Sequence, residues 1–322
     1  MLPEGLRMKA PENSLVVPVY RNAASIDALV EVVERIAGEV DGSLEAIFVI
    51  DGSPDDSRER LLRALGHGSV GARIVEHSRN FGSFAAIRTG MSLARGERIA
   101  VMAADLQEPP ELVIEFFRRL RSEEVDVVAG ERVSRDDRGD SLSSLYWRLY
   151  RRFVIAEIPA AGVDVFACTS EVRDVVCSLE AVHTSLVAQL FWVGFRRELV
   201  PYERRPSEGE SGWTLKRKLR YLSDSVFAFT DLPVRLLWTV GVLGLALGVV
   251  VGLIVLVARI AGAITVPGYA PTMFVLVFFA SLNLMGLGIV GSYVWRAYDT
   301  VKGRPGAIVR EVVELPAGSD YA

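Results

Sequence analysis

The sequence predicts an α/β protein. A mostly parallel sheet covered by helices comes first, followed by an amphipathic interface helix and two membrane-spanning helices. Three observations carry that prediction. Strand and helix signals alternate through residues 1–203, the pattern of a sheet whose parallel strands are joined by covering helices. Two later stretches, Leu236–Val257 and Met273–Trp295, run 22 and 23 residues without a charge. Polar residues also fall at the C-terminal ends of the predicted strands, where open α/β sheets bind their ligands.

The elements follow in order. Ser14–Tyr20 is a short β-rich run, and Ile26, Leu29, Val30, Val33, Ala37 and Val40 then recur at helical spacing. Leu44–Ile50 reads as the second strand and Ala72–His77 as the third. Ser83–Ala94 reads as a helix, and Arg98–Ala103 as the fourth strand. Pro109 and Pro110 open a helix that runs to Arg121, because proline suits a first helical turn. Val125–Ala129 is the fifth strand. Tyr20, Asp51 and Asp105 are the polar residues at the strand ends.

Composition removes several classes. The chain has 322 residues, room for one large domain or two ordinary ones. With 36 Lys and Arg against 40 Asp and Glu, the net charge is −4, so the basic footprint of a nucleic-acid binder is missing. Half the residues are hydrophobic, which excludes disorder. Cys168 and Cys177 form no CxxC motif, and His67, His77 and His183 lack zinc-site spacing.

Each uncharged stretch is over 30 Å long as a helix at about 1.5 Å per residue, enough for a bilayer core of about 30 Å. Glycines recur at three- and four-residue steps in both, at Gly241, Gly244, Gly248 and Gly252 and at Gly286, Gly288 and Gly291. That spacing suits either packing within the hairpin or an oligomer contact. Lys216, Arg217, Lys218, Arg220 and Arg235 precede the first stretch, and Arg296, Lys302, Arg304 and Arg310 follow the second. The loop 258–272 has only Arg259. Both outer flanks are therefore expected in the cytoplasm. No long apolar core marks a cleavable leader at the N-terminus, so the large N-terminal region is expected there too. Trp213–Thr230 is amphipathic and basic at its start, which suits a helix lying on the inner leaflet. The expected organisation is a soluble domain at 1–212, a juxtamembrane helix at 213–235, a hairpin at 236–296 and a cytoplasmic tail at 297–322.

The chain contains neither GxGxxG nor GxxxxGK[ST], so the usual dinucleotide and P-loop sites lack their signatures. Other strings occur in series. Val17-Pro18-Val19-Tyr20 is followed by Ile50-Asp51-Gly52-Ser53 with Asp55 and Asp56, then Arg79-Asn80-Phe81-Gly82. Gly90, the Ala94-Arg95-Gly96 turn and Ala104-Asp105-Leu106-Gln107-Glu108-Pro109-Pro110-Glu111 come next, and Gly209-Glu210-Ser211 precedes the paired apolar stretches. In this order the strings resemble the family 2 glycosyltransferases of GT-A (Rossmann-like) fold, over roughly residues 13–310. The nearer resemblance is to the polyprenyl-phosphate glycosyltransferases, which include bactoprenol glucosyltransferases and dolichyl-phosphate mannose synthases.

The resemblance implies transfer of a sugar, with inversion, from a nucleotide sugar to a polyprenyl phosphate such as undecaprenyl phosphate. It implies a nucleotide-sugar site at Pro18, Tyr20, Asp51, Ser53, Asn80, Gly82 and Asp105, with Asp51 on the base or ribose. A carboxylate accepts hydrogen bonds from N–H and hydroxyl donors there. It implies Mg²⁺ or Mn²⁺ at Asp105 and Gln107, since oxygen ligands suit these ions. The usual motif has two aspartates, and here Ala103 stands in place of the first. Asp164 matches the acceptor-side acid and is taken, with Asp105, as catalytic. A positioning role suits Asp164, because a phosphate monoester with a second pKa near 6 is already anionic at pH 7. The family often carries an arginine just after this acid, where this chain reads Ala167-Cys168-Thr169-Ser170. Arg132, Arg204 and Arg205 are the candidates for the lipid phosphate, because guanidinium binds phosphate with two parallel hydrogen bonds.

UDP-sugars are the expected donors ahead of GDP-sugars, with UDP-glucose first, and the bilayer is an expected partner. The expected location is a bacterial inner membrane, multi-pass, with the catalytic domain in the cytoplasm. Three other functions compete. A processive polysaccharide synthase would call for Gln-x-x-Arg-Trp, and Gln189-Leu190-Phe191-Trp192 lacks the arginine. A flippase or channel would need a polar path, and neither apolar stretch carries a charge. A catalytically degenerate partner subunit has Ala103 in its favour, against Asp51, Asp105, Gln107 and Asp164.

Overall fold

The computed structural model describes residues 10–66, 68–133, 159, 163–179, 185–204, 232–261 and 269–317. The chain divides into two units, one of residues 1–218 with 305–322 and the other of residues 219–304.

In the first unit the strands are β1 (Asn13–Val19), β2 (Leu44–Ile50), β3 (Gly71–His77), β4 (Arg98–Val101), β5 (Val127–Arg132), β6 (Phe166–Thr169), β7 (Arg197–Tyr202) and β8 (Val309–Leu315). The helices are α1 (Ile26–Glu39), α2 (Ser57–Leu65), α3 (Ser83–Leu93), α4 (Pro110–Arg121), α5 (Ser170–Ser178) and α6 (Leu186–Trp192). The eight strands form one sheet in the order β7-β5-β6-β4-β1-β2-β3-β8. β1 pairs in parallel with β2 and β4, β2 with β3, and β5 with β7. β6 runs antiparallel to both β4 and β5, and β8 antiparallel to β3. The sheet is therefore mostly parallel, as the alternating signals predict.

The directions decide where chemistry is placed. β1 to β4 point the same way, with Val19 beside Ile50 and Ile50 beside Glu76. The reversed β6 lets β5 and β7 point the same way again. One edge of the sheet thus gathers the C-terminal ends of six strands and the start of β6.

The core reads off the strands. Leu15, Val17 and Val19 of β1 and Phe48 and Ile50 of β2 are buried, as are Ile26, Leu29 and Val33 of α1 and Val113, Phe116 and Leu120 of α4. On the other face α3 lies so close that a side chain at Gly90 would stand 2.3 Å from Val16 Cγ1. At the opposite end of the strands, Ser14 Oγ donates to Glu45 (2.6 Å) and accepts from Gly96 N–H (2.8 Å), and Arg73 also donates to Glu45 (2.7 Å). That end is closed by structural bonds.

The sequence reading missed three strands and three helices, α2, α5 and α6. β6 has four residues and β7 has six without alternation, and α2 is a nine-residue polar helix. β8 lies in the segment 297–322 expected to be a cytoplasmic tail. It follows Arg304, the last residue of the other unit, and covers the edge of β3.

The second unit contains α7 (Leu232–Ile260) and α8 (Tyr269–Val301). Among the described residues one stretch, Phe278–Val301, is long and apolar enough to cross a membrane, and Leu236–Gly248 is a shorter apolar piece. Leu237 lies 3.2 Å from where a side chain at Gly286 would start, and Phe279 lies 3.6 Å from one at Gly244. Positions 241, 248, 288 and 291 have nothing within 4 Å, so only part of the glycine series serves this contact. The juxtamembrane segment 213–231 and Arg205 lie outside the described residues, as does the basic flank at 216–220.

Candidate active site

The edge that gathers the strand ends carries two groups of side chains. The first belongs to β1, β2 and β3. Asp51 ends β2 and is 2% exposed. Its Oδ1 accepts from Phe81 N–H at 2.8 Å and lies 2.8 Å from His77 Nδ1, and its Oδ2 accepts from Gly82 N–H at 2.7 Å. An ionised carboxylate has no proton to give, so His77 donates through Nδ1, and Nε2 faces Thr89 Oγ1 at 2.9 Å. Burial pushes the Asp51 carboxyl up, but the bonds from His77, Phe81 and Gly82 outweigh it and hold the group below its ordinary value. Both oxygens are engaged inside the protein, and Asp51 shapes the 79–82 loop.

The same loop is pressed from β2. Gly52 has φ +58°, and a side chain there would sit 2.4 Å from the carbonyl carbon of Arg79. Only glycine fits that conformation and that approach. Ser53 Oγ accepts from Arg21 N–H (2.8 Å) and donates to Asp55 (2.6 Å), and Asp55 also accepts from Ala23 N–H (3.1 Å) and from Ser57 Oγ (2.7 Å). Ser53 is thus a loop fastener. Tyr20 and Asn80 are exposed at this edge, Pro18 lies within β1 opposite Val49, and Gly82 caps α3 at φ +100°.

The second group belongs to β4, β6 and β7. Asp105 is exposed just past β4, and Gln107 Nε2 donates to its Oδ2 at 2.7 Å. Leu106 between them takes φ +56°, which turns both side chains to one side. Asp164, at the start of β6, accepts from Tyr202 OH at 3.3 Å. Tyr202 lies against Gly130, where a side chain would come within 2.9 Å of its ring. Arg204 stands between two acids, with Nε 3.7 Å from Glu108 Oε1 and a terminal nitrogen 3.6 Å from Asp164 Oδ2. Arg132 is exposed at the end of β5, beside Tyr202 in register. The structure therefore brings Asp105, Gln107, Asp164, Arg132 and Arg204 to one edge.

Glu108 is the member that the sequence did not single out. It is 1% exposed, and both carboxylate oxygens and Arg204 Nε lack a hydrogen-bond partner among the described residues. Burial, with Asp105 nearby, pushes its carboxyl up to about 7 against the pull of Arg204. Burial likewise pushes the Tyr202 phenol up. His77 is the other omission, since its position was weighed only for zinc.

A divalent ion would find one exposed carboxylate and one carboxamide here. Among the described residues no group of three His, Cys, Asp or Glu could hold a metal. That set suits Mg²⁺ held through a single carboxylate, with substrate phosphates and water completing its shell.

The model of glycosyl transferase family 2 matches residues 14–170. The chain is 32% identical over 320 residues to the undecaprenyl-phosphate 4-deoxy-4-formamido-L-arabinose transferase of Pseudomonas paraeruginosa, covering 93% of this chain and 90% of that one. It belongs to glycosyl transferase family 2. An uncharacterized Bacillus subtilis glycosyltransferase, YkcC, is 31% identical over 245 residues, 74% of this chain and 75% of its own. Among solved structures, glucosyl-3-phosphoglycerate synthase of Mycobacterium tuberculosis is 16% identical with a TM-score of 0.47, over 68% of this chain and 78% of that one. This family 2 glycosyltransferase has Asp51, Asp105, Glu108 and Asp164 inside the segment that the family model matches, and Tyr202 and Arg204 beyond it.

Proposed function

We propose that this glycosyltransferase moves a sugar from a nucleotide sugar to the phosphate of a polyprenyl phosphate such as undecaprenyl phosphate, inverting the anomeric centre. The observation that carries the reading is Arg204. A guanidinium is held at the sheet edge between Asp164 and Glu108, on the same edge as the Asp105–Gln107 pair. A diphosphate leaving group and a phosphate nucleophile need such a pair of neighbouring sites. The relative named as an undecaprenyl-phosphate sugar transferase supports the lipid acceptor.

The 20–23, 51–55 and 79–82 loops would receive the nucleotide, with Tyr20 and Asn80 exposed to it and Asp51 acting through the loop it fastens. Asp105 and Gln107 would hold Mg²⁺ or Mn²⁺, which supplies charge neutralisation on the diphosphate when bound. Arg204 and Arg132, with Arg205 of the undescribed segment, would hold the acceptor phosphate. An acceptor phosphate oxygen attacks the anomeric carbon, and the bond to the diphosphate oxygen breaks as the nucleoside diphosphate leaves. Asp164 needs no proton transfer in this step, because the acceptor is already anionic near pH 7. It positions Arg204.

α7 and α8 would form the two-span anchor, with the sheet unit in the cytoplasm at a bacterial inner membrane. The donor to test first is UDP-glucose. The test is a transfer assay on the detergent-purified chain with undecaprenyl phosphate, UDP- and GDP-sugars, a UDP-4-deoxy-4-formamido-L-arabinose arm, and Mg²⁺, Mn²⁺ or EDTA. One productive donor is expected. Turnover with none, in protein that still binds nucleotide, would favour the degenerate partner subunit, the reading that Ala103 supports.

A further inference from the structure

We propose that Glu108 is a positioning residue for transfer, holding Arg204 against the acceptor phosphate without occupying its hydrogen-bond donors. The inference rests on the acceptor reading above and assigns a task to a residue that the reading does not use.

The bland explanation of Glu108 is a helix cap. It lies two residues before α4, and negative charge is favourable near a helix N-terminus. A capping carboxylate would accept N–H bonds from the first turn. Neither oxygen of Glu108 accepts one, and α4 has no side-chain cap. Its nearest cationic partner is Arg204, brought from the end of β7, 96 positions away, at an ion-pair distance of 3.7 Å.

Both acids around Arg204 stand beyond hydrogen-bond range, at 3.6 and 3.7 Å. Ion-pair contacts on two sides restrict the guanidinium, and neither acid takes one of its hydrogen bonds. Arg204 Nε is buried with no acceptor. A phosphate monoester offers the parallel acceptors that a guanidinium takes best. Among the described residues Arg204 is the cation within 4 Å of both acids.

The full chain would be assayed in detergent, varying undecaprenyl phosphate and donor independently, with nucleotide affinity measured by calorimetry. Glu108→Gln keeps the shape and removes the charge. It is expected to raise the acceptor KM about tenfold while donor KM and nucleotide affinity stay within about twofold. Glu108→Asp is expected to lie between wild type and Gln, and it reads the same ratio should the Gln variant fail to fold. Arg204→Lys should raise the acceptor KM too, and the Gln and Lys effects combined should fall well short of their product, since both act on one guanidinium. An unchanged acceptor KM in Glu108→Gln alongside a raised one in Arg204→Lys overturns the role of Glu108 and leaves the acceptor reading standing. Wild-type protein that uses its donor but gives no sugar to polyprenyl phosphate overturns the acceptor reading, and the role of Glu108 with it.

Discussion

The carboxylate of Asp51 accepts the backbone N–H of Gly82 at 2.7 Å, across 31 positions of sequence. The end of β2 thereby fixes the entry to α3. His77 and Phe81 bond to the other oxygen of the same carboxylate, so the end of β3 and the loop entering α3 share one buried acceptor at the end of β2.

Replacing Asp51 with Asn should destabilise the sheet unit by roughly 2–4 kcal/mol, since hydrogen bonds to a charged group contribute about 1.5–3 kcal/mol each. One amide oxygen cannot serve donors on both sides, and the NH₂ would face an N–H. The pH dependence has a definite sign. The native carboxyl lies below its ordinary 3.8, so the unfolded chain binds the proton more tightly. Stability from this group is complete above that ordinary value and is lost as pH falls through the lowered native one. Denaturant unfolding between pH 6 and pH 3 should show a shallower acid slope for the variant; an equal slope would remove Asp51 from the account.

Gly52→Ala tests the close approach of the 52 and 79 backbones. The new methyl would meet Arg79 backbone at 2.4 Å in a left-handed conformation. A cost of roughly 2–4 kcal/mol is expected from conformation and overpacking together. Nucleotide affinity should fall with it, because the 79–82 loop must shift. A variant with wild-type thermal midpoint and wild-type nucleotide affinity would show that this contact is not required.

Much of this was legible locally. β2 spans Leu44–Ile50 and α4 spans Pro110–Arg121, the bounds the sequence predicts, because a run apolar but for Glu45 and a Pro-Pro start are local signals. β6 and β8 were not legible, because each is defined by a distant partner. β8 pairs Leu315 with Ala72, across the whole intervening chain. Glu108 reads as one more polar residue in a Gln-Glu-Pro-Pro-Glu run. Only Arg204, arriving from β7, and the burial around it reveal an acid without hydrogen bonds. The bonds that Asp51 makes to the 79–82 loop were not legible, since nothing in an Asp-Gly-Ser string shows which way the carboxylate turns.

β8 carries the third prediction. Leu315 is 2% exposed in the core, Ser78 N–H donates to Ile308 O at 2.9 Å, and Arg58 bridges Glu76 and Glu311 at 3.1 and 2.6 Å. Leu315→Ala should cost roughly 2–5 kcal/mol, the usual range for a core truncation. Ending the chain after Ala307 would expose the β3 edge, and an open edge invites pairing with another copy. Light scattering of the truncated protein should rise on warming well before wild type does. A truncation as soluble and as stable as the full chain would show that β8 is dispensable.

The fourth prediction concerns the single carboxylate of the proposed metal site. With Asp105 and Gln107 alone, Mg²⁺ or Mn²⁺ binding should depend on the diphosphate that shares the ion. Electron paramagnetic resonance of Mn²⁺ should show weak binding to the free protein and binding at least tenfold tighter with a nucleoside diphosphate present. Asp105→Asn should remove that enhancement and abolish metal-dependent turnover, whereas unchanged binding would take Asp105 out of the site. Ala103→Asp supplies a second carboxylate, and position 103 is half-buried while Asp105 is exposed. That variant should bind Mn²⁺ more tightly without nucleotide, narrowing the difference between the two conditions. Loss of the folded state in Ala103→Asp would mean instead that the small side chain is required by packing at the end of β4.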